Sequence, residues 1–179
     1  ADLKQQLKQL LELMEGDVEF IASLGSDDKS KELKDLLDEI ADMSARITVT
    51  EKDLKRTPSF SVNRPGEETG VTFAGIPLGH EFNSLVLAIL QVSGRAPKEK
   101  QSVIDQIKGL EGPFHFETFV SLTCQKCPDV VQALNLMSVI NPNITHTMID
   151  GAVFREESED IMAVPCLLYT SDAADDSLR

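Results

Sequence analysis

The stretch Thr123-Cys124-Gln125-Lys126-Cys127-Pro128 places two thiols at i and i+3, at the junction of two different hydrophobic periods. Before it, Phe114, Phe116, Thr118, Val120 and Leu122 alternate as a strand does; after it, Val130, Ala133, Leu134, Met137 and Ile140 recur at helical spacing. A strand therefore runs into a helix through a C-x-x-C. The first turn of a helix presents unpaired N–H groups and the positive end of the macrodipole, so a cysteine there ionises more readily, and the thiolate is the nucleophile. This spacing predicts Cys124 at the N-cap and Cys127 about one turn inside, with both sulfurs on one side of the helix start. Lys126 adds a nearby positive charge, Thr123 flanks the pair, and Pro128 falls in the first turn, where its missing N–H costs least. Cys124 is assigned as the attacking thiol and Cys127 as the resolving one.

A C-x-x-C is also half of many zinc sites, which need a second ligand pair. The other candidates, Cys166, His80, His115 and His146, have no paired spacing. The alternative left open is a binding module that keeps its cysteines for zinc or for packing.

A chain of 179 residues buries one good core or two small ones. Its net charge of −13 is shared by both halves, which argues against nucleic acid and anionic membranes as partners, because phosphates repel such a surface. Three cysteines do not make a disulfide framework of the secreted kind; with two in a C-x-x-C they point to a reducing compartment and a cycling bond. No apolar run approaches the ~20 residues of a membrane span, and no signal-peptide core opens the chain. The expectation is a cytoplasmic protein.

From the N-terminus, Leu3, Leu7, Leu10, Leu11 and Met14 mark an amphipathic helix ended by Gly16. Val18, Phe20, Ala22 and Leu24 alternate as a strand, and Ser26 or Asp27 caps a helix whose apolar face is Leu33, Leu36, Leu37, Ile40 and Met43. A short strand at 47–50 follows. After Thr57-Pro58, Phe60 and Val62 read as one hairpin arm and Val71 and Phe73 as the other, with Asn63-Arg64-Pro65-Gly66 and Gly70 supplying the turn. Phe82, Leu85, Val86, Ile89 and Leu90 form a further helix that closes near Gly94.

Then the pattern restarts. Met14-Glu15-Gly16-Asp17-Val18-Glu19-Phe20 is echoed by Leu110-Glu111-Gly112-Pro113-Phe114-His115-Phe116, Ser23-Leu24 by Ser121-Leu122, and Ile47-Thr48 by Ile144-Thr145, at a nearly constant offset. This is a tandem duplication. Carried back onto the first copy, Cys124 and Cys127 fall on Ser26 and Lys29, so only the second copy has thiols at this place. In the second copy, Val103, Ile104, Ile107 and Leu110 form a helical face, residues 144–149 a strand, Asp150-Gly151 a turn and residues 153–163 a weak helix. Val164-Pro165 then aligns with Thr57-Pro58.

Strand, C-x-x-C-P, helix, strand, helix and a later proline before a strand is the layout of the thioredoxin superfamily. More closely, Leu78-Gly79-His80-Glu81-Phe82-Asn83-Ser84-Leu85-Val86-Leu87-Ala88 and Cys127-Pro128-Asp129-Val130-Val131-Gln132-Ala133-Leu134-Asn135-Leu136-Met137 resemble the N-terminal domain of the flavoprotein component of alkyl hydroperoxide reductase. The resemblance runs to about Pro165. It implies an α/β fold of two tandem thioredoxin-like units with mixed sheets flanked by helices: residues 1–95 without redox cysteines, 96–165 with the C-x-x-C, and 166–179 as a divergent acidic tail.

The resemblance also implies a disulfide oxidoreductase in peroxide detoxification, relaying electrons from a flavoprotein domain that uses NADH and FAD to the disulfide of a peroxiredoxin partner. Cys124 and Cys127 match its redox pair, Pro165 its cis-proline beside the dithiol, and Glu81 an acidic residue held near the redox centre. A glutamate exposed in a first helical turn has a plainer use, as a favourable partner of the helix dipole. After Pro165 the family pattern of strand, turn, strand and helix is not met. Cys166-Leu167-Leu168-Tyr169 still reads as strand, but Thr170-Ser171-Asp172-Ala173-Ala174-Asp175-Asp176-Ser177-Leu178-Arg179 reads as tail, leaving the second fold incomplete at its C-terminus. No G-x-G-x-x-G occurs, so FAD and NAD(H) are expected only in a full-length protein. The competing function is a free-standing, glutaredoxin-like protein disulfide oxidoreductase.

Overall fold

Every strand read from the sequence joins one mixed sheet. The computed structural model describes residues 2–160 and 167–171. In chain order the elements are α1 (Asp2–Leu11), β1 (Val18–Ser23), α2 (Asp28–Met43), β2 (Ile47–Glu51), β3 (Ser59–Arg64), β4 (Glu67–Ala74), a 3-10 turn (Gly79–Glu81) leading into α3 (Phe82–Val92), α4 (Gln101–Lys108), β5 (Phe114–Val120), α5 (Cys127–Ile140), β6 (Ile144–Asp150), α6 (Arg155–Asp160) and β7 (Leu167–Ser171).

The strand order is β2-β1-β3-β4-β6-β5-β7. The duplication is visible in the registers. β1 pairs parallel with β2 from Val18↔Ile47, and β5 pairs parallel with β6 from Phe114↔Ile144. On its other side β1 takes β3 antiparallel, and β5 takes β7 antiparallel. β7 thus holds the place in the second copy that β3 holds in the first, and Thr170 and Ser171, expected in the tail, lie in this strand. The expected pair of sheets is a single one: β4 pairs parallel with β6 from Val71↔His146 to Ala74↔Ile149. Buried strand edges need hydrogen-bond partners, and each copy supplies the other's.

Gly70 makes this junction possible. The hairpin pattern places it in the turn, yet the chain reverses at Pro65 and Gly66, and Gly70 sits inside β4 with φ +81. A Cβ there would stand 2.9 Å from Thr145 Cγ2 and 3.0 Å from the Ile144 carbonyl oxygen. Only a residue without a side chain lets β4 and β6 come together.

One face of the sheet carries the core. Phe20 meets Phe60 edge-on at 5.5 Å and Phe60 stacks on Phe73 at 5.3 Å, and these three rings are fully buried. At about 2–3 kcal/mol per buried side chain, such residues dominate the stability of the sheet. Leu7 and Leu11 of α1, Leu33, Leu37 and Ile40 of α2, Leu85 and Ile89 of α3 and Val131 of α5 join the same continuous cluster. Asp27 caps α2, accepting from the Ser30 N–H at 3.2 Å. α1 is shorter than its apolar stripe suggests. It ends at Leu11, buries Leu7 and Leu11, and leaves Leu3 and Leu10 exposed. α4 likewise stops before Leu110, which is exposed.

The other face carries a small apolar cluster of Ala74, Phe119 and Ile149 under Phe154, and is otherwise mostly polar. Ser59, Ser61, Asn63, Thr72, Thr145 and Thr147 line a cavity of about 310 Å³ there. At its edge Arg56 joins Glu117 of β5 to Glu157 of α6.

A dithiol at the start of α5

Residues 121–126 form the turn between β5 and α5. The Cys124 N–H donates to the Ser121 carbonyl at 3.0 Å, and the Ser121 and Thr123 hydroxyls bond at 2.9 Å. α5 begins at Cys127, with Lys126 as its N-cap and Pro128 in its first turn. Cys124 therefore lies two residues before the N-cap position. Its side chain still serves the helix end: the Cys127 N–H donates to Cys124 Sγ at 3.3 Å, where a capping oxygen would otherwise accept. An orphan donor at the positive end of a helix is aimed at the atom that carries the charge when the pair is reduced.

Cys124 and Cys127 are joined as a disulfide with their Cα atoms 5.6 Å apart. The two sulfurs have different surroundings. Cys127 is completely buried against the core, whereas Cys124 is only half-buried. Lys126 and Thr123 are exposed.

Glu81 is fully buried, so the plain use of an exposed glutamate at a helix start does not apply to it. It ends the 3-10 turn ahead of α3, in the seam where α3 packs on α5. This turn is docked on the redox loop: the His80 N–H donates to the Leu122 carbonyl at 3.1 Å. Gly79, at φ +56, lies so close that a Cβ would come within 2.8 Å of the same oxygen. Ser84 Oγ donates to Glu81 Oε1 at 2.8 Å, and Gln132 Nε2 donates to Ser84 Oγ at 3.2 Å. Burial pushes the Glu81 carboxyl up, and the Ser84 hydrogen bond offsets part of that. Pro165 and Cys166 lie outside the described residues.

Sequence reasoning missed Ser84 and Gln132, as well as two further buried groups. His146 is enclosed beneath α5, with Nδ1 at 2.7 Å from Asn135 Oδ1 and Nε2 at 2.9 Å from Thr118 Oγ1. Asp150, at the end of β6, receives the Ala152 N–H at 3.0 Å, and burial raises its carboxyl. The only advance signal was the i, i+3 spacing of Glu81 and Ser84; the other partners come together across the two copies or from different elements. Among the described residues, no three His, Cys, Asp or Glu side chains come together as a metal site.

No protein-family model matches the chain. An alkyl hydroperoxide reductase of the AhpF type from Staphylococcus epidermidis is 92% identical over 167 residues, which is 93% of this chain and 33% of that protein. The crystal structure of the NTD_N/C domain of the alkyl hydroperoxide reductase AhpF from Enterococcus faecalis superposes with a TM-score of 0.87 at 32% identity, covering 95% of this chain and 89% of that one. The chain belongs to the AhpF family of alkyl hydroperoxide reductases. It spans about a third of the length of the full AhpF relatives it matches. A protein disulfide oxidoreductase from Aeropyrum pernix, at 20% identity and a TM-score of 0.80, shares the fold. Within the AhpF family the chain corresponds to the tandem thioredoxin-like part, with its one dithiol in the second copy.

Proposed function

We propose that this chain is the thiol–disulfide relay of an alkyl hydroperoxide reductase, taking reducing equivalents from a flavoprotein domain and passing them to the disulfide of a peroxiredoxin. The observation that carries this is the unequal pair at the start of α5, one sulfur accessible and supplied with a helix N–H, the other buried. In the donating direction the Cys124 thiolate attacks a partner sulfur, and the partner's S–S bond breaks with its electron pair on the leaving sulfur. Cys127 then loses its proton and attacks Cys124, and the mixed disulfide breaks. Two electrons have passed to the partner, and Cys124–Cys127 is oxidised.

Thr123 and Lys126 are exposed beside the pair, where an incoming partner has to dock, and Pro165 is assigned a part in receiving that partner. Glu81 is assigned the proton that the exchange moves. FAD and NADH supply the electrons in the full-length protein, and two helix starts of this chain are already occupied. The N-terminus of α2 is taken by the Asp27 carboxylate and that of α5 by the Cys124 sulfur, leaving neither free for a pyrophosphate. The proposed compartment is the cytoplasm, which keeps such thiols cycling. No helix among the described residues is long and apolar enough to cross a membrane.

The test is trapping with an oxidised peroxiredoxin. Cys127→Ser should accumulate a mixed disulfide through Cys124, and Cys124→Ser should accumulate none. Trapping by Cys124→Ser alone would reverse the two roles, and trapping by neither would remove the relay.

A further inference from the structure

The first copy has no thiols at the start of its own helix, yet its 3-10 turn touches the loop that carries them in the second. The His80 N–H donates to the Leu122 carbonyl at 3.1 Å, the one hydrogen bond between residues 121–126 and the first copy among the described residues. Gly79 passes against the same carbonyl. A Cβ on it would stand 2.8 Å from the Leu122 oxygen, 3.4 Å from Leu122 Cβ and 3.5 Å from the Leu122 carbonyl carbon.

The two sides of this contact differ in how firmly they are held. The turn opens α3, whose Leu85 and Ile89 are fully buried in the core. Residues 121–126 are exposed or half-buried, and their other hydrogen bonds are local ones such as the Cys124 N–H to the Ser121 carbonyl. An atom pressed between Gly79 and Leu122 therefore displaces the loop before it displaces the helix. The displacement reaches the dithiol through a single turn. The bond from Cys124 to Ser121 closes residues 121–124, and this turn sets Cys124 Sγ at 3.3 Å from the Cys127 N–H. That N–H, at the positive end of α5, is the group that supports charge on Cys124 in the reduced pair.

We propose that Gly79 is a positioning residue for the dithiol: by carrying no side chain it lets the first copy seat Leu122, and with it Cys124 Sγ, on the Cys127 N–H. The proposal rests on the reading of Cys124 as the attacking thiol, and it gives the copy without thiols a part in the reactivity of the other. A side chain at residue 79 pushes the Leu122 carbonyl away, shifts the turn and lengthens the contact of Sγ with the N–H. Cys124 then ionises less readily and attacks more slowly at neutral pH.

The experiment is the rate at which iodoacetamide alkylates Cys124 in the reduced chain. Trypsin cuts after Lys126, so mass spectrometry reads Cys124 and Cys127 on separate peptides. In Gly79→Ala the Cys124 rate at pH 7 should fall about two- to fivefold, the range of one charge interaction at a helix end. At pH 10, where the thiol ionises without help, it should match the native rate. Gly79→Asn adds the same Cβ with a residue that tolerates positive φ, and should behave alike. Gly66→Ala, at φ +78 with nothing within 4 Å, should leave the rate unchanged. The charged groups around the loop, His80, Lys126 and Asp129, are exposed and are retained in all these variants. Glu81 is buried in the same turn, so Gly79→Ala is also read in a Glu81→Gln background, where it should slow alkylation by the same factor.

A native Cys124 rate at pH 7 in both Gly79 variants, with only the urea midpoint lowered, would make Gly79 a structural residue and overturn the proposal. So would an equal deficit at pH 10, which is one of access, an equal slowing in Gly66→Ala, or loss of the effect in the Glu81→Gln background. The native chain supplies a check without substitution: the His80 amide should resist hydrogen exchange in both redox states, and exchange at the rate of an open amide would overturn the seating of Leu122. Alkylation needs no protein partner, so these outcomes are separate from the trapping that tests the relay.

Discussion

Arg56 Nη2 donates to Glu117 Oε2 across 2.7 Å, so a guanidinium from the loop before β3 lies against the strand that leads to the dithiol. Both groups are buried, at 9% and 6% exposure. Arg56 Nε also donates to Glu157 Oε2 at 2.9 Å, which ties α6 to the same point. One side chain of the first copy thus holds two elements of the second.

Removing one member of a buried ion pair leaves the other charged and unpaired. Arg56→Ala is expected to lower the unfolding free energy by about 3 kcal/mol, read from urea unfolding at pH 7. Arg56→Lys should recover only part, because an ammonium lacks the planar fork that reaches both carboxylates. A native urea midpoint in Arg56→Ala would show that the pair contributes nothing.

The same contact sets an acid limit. The Glu117 carboxyl is held down to about 2, against an ordinary 4.5: burial alone would raise it, and His115 and Arg56 outweigh that. A carboxylate with a depressed folded value contributes stability that is complete above the unfolded value and lost as pH falls. Stability should therefore decline between pH 4.5 and about 2. In Glu117→Gln the decline over that window should be shallower, and an equally steep one would assign the loss to other groups.

His146 should stay neutral in mildly acidic solution. Burial lowers it from 6.5 to about 3, with His115 acting in the same direction. The unfolded chain takes up this proton first, so the stability from His146 is present above pH 6.5 and lost as pH falls toward 3. Since Asn135 Oδ1 accepts from Nδ1–H, the Nδ1–H tautomer is expected, with Thr118 donating to Nε2. Nitrogen NMR of the imidazole at pH 5 checks both points; an imidazolium signal there would refute them.

Gly70→Ala should weaken the whole sheet. A residue with a Cβ at φ +81 is strained by about 1–3 kcal/mol, and the new atom also meets Thr145 and the Ile144 carbonyl. Gly66 has a similar φ of +78 but open space around it, so Gly66→Ala should cost the strain alone. Thermal melts of the two variants separate these contributions. Equal losses would mean that the junction of β4 and β6 yields without cost.

The features legible in advance depend on neighbours along the chain. Alternation at Phe114, Phe116 and Thr118, helical spacing at Leu33, Leu37 and Ile40, and the cap at Asp27 are set within a few residues, where strand and helix geometry repeat. The C-x-x-C belongs with them, since two thiols at i and i+3 come within bridging distance once the chain turns into a helix between them. The duplication was also legible, because core positions kept their spacing in both copies. Cys124 stands two residues before the N-cap position expected for it, yet its sulfur accepts the N–H of the first helical residue.

The sequence by itself determined the tandem thioredoxin-like units and the location of the one dithiol, Cys124 and Cys127. Only the tertiary structure decided that the two copies share a sheet through Gly70, that Arg56 sits between Glu117 and Glu157, and that Glu81 is buried with Ser84 and Gln132. The physical reason is that burial and charge pairing depend on residues far apart in the chain. No local period records which glutamate will lie beneath a neighbouring helix and which will remain in water.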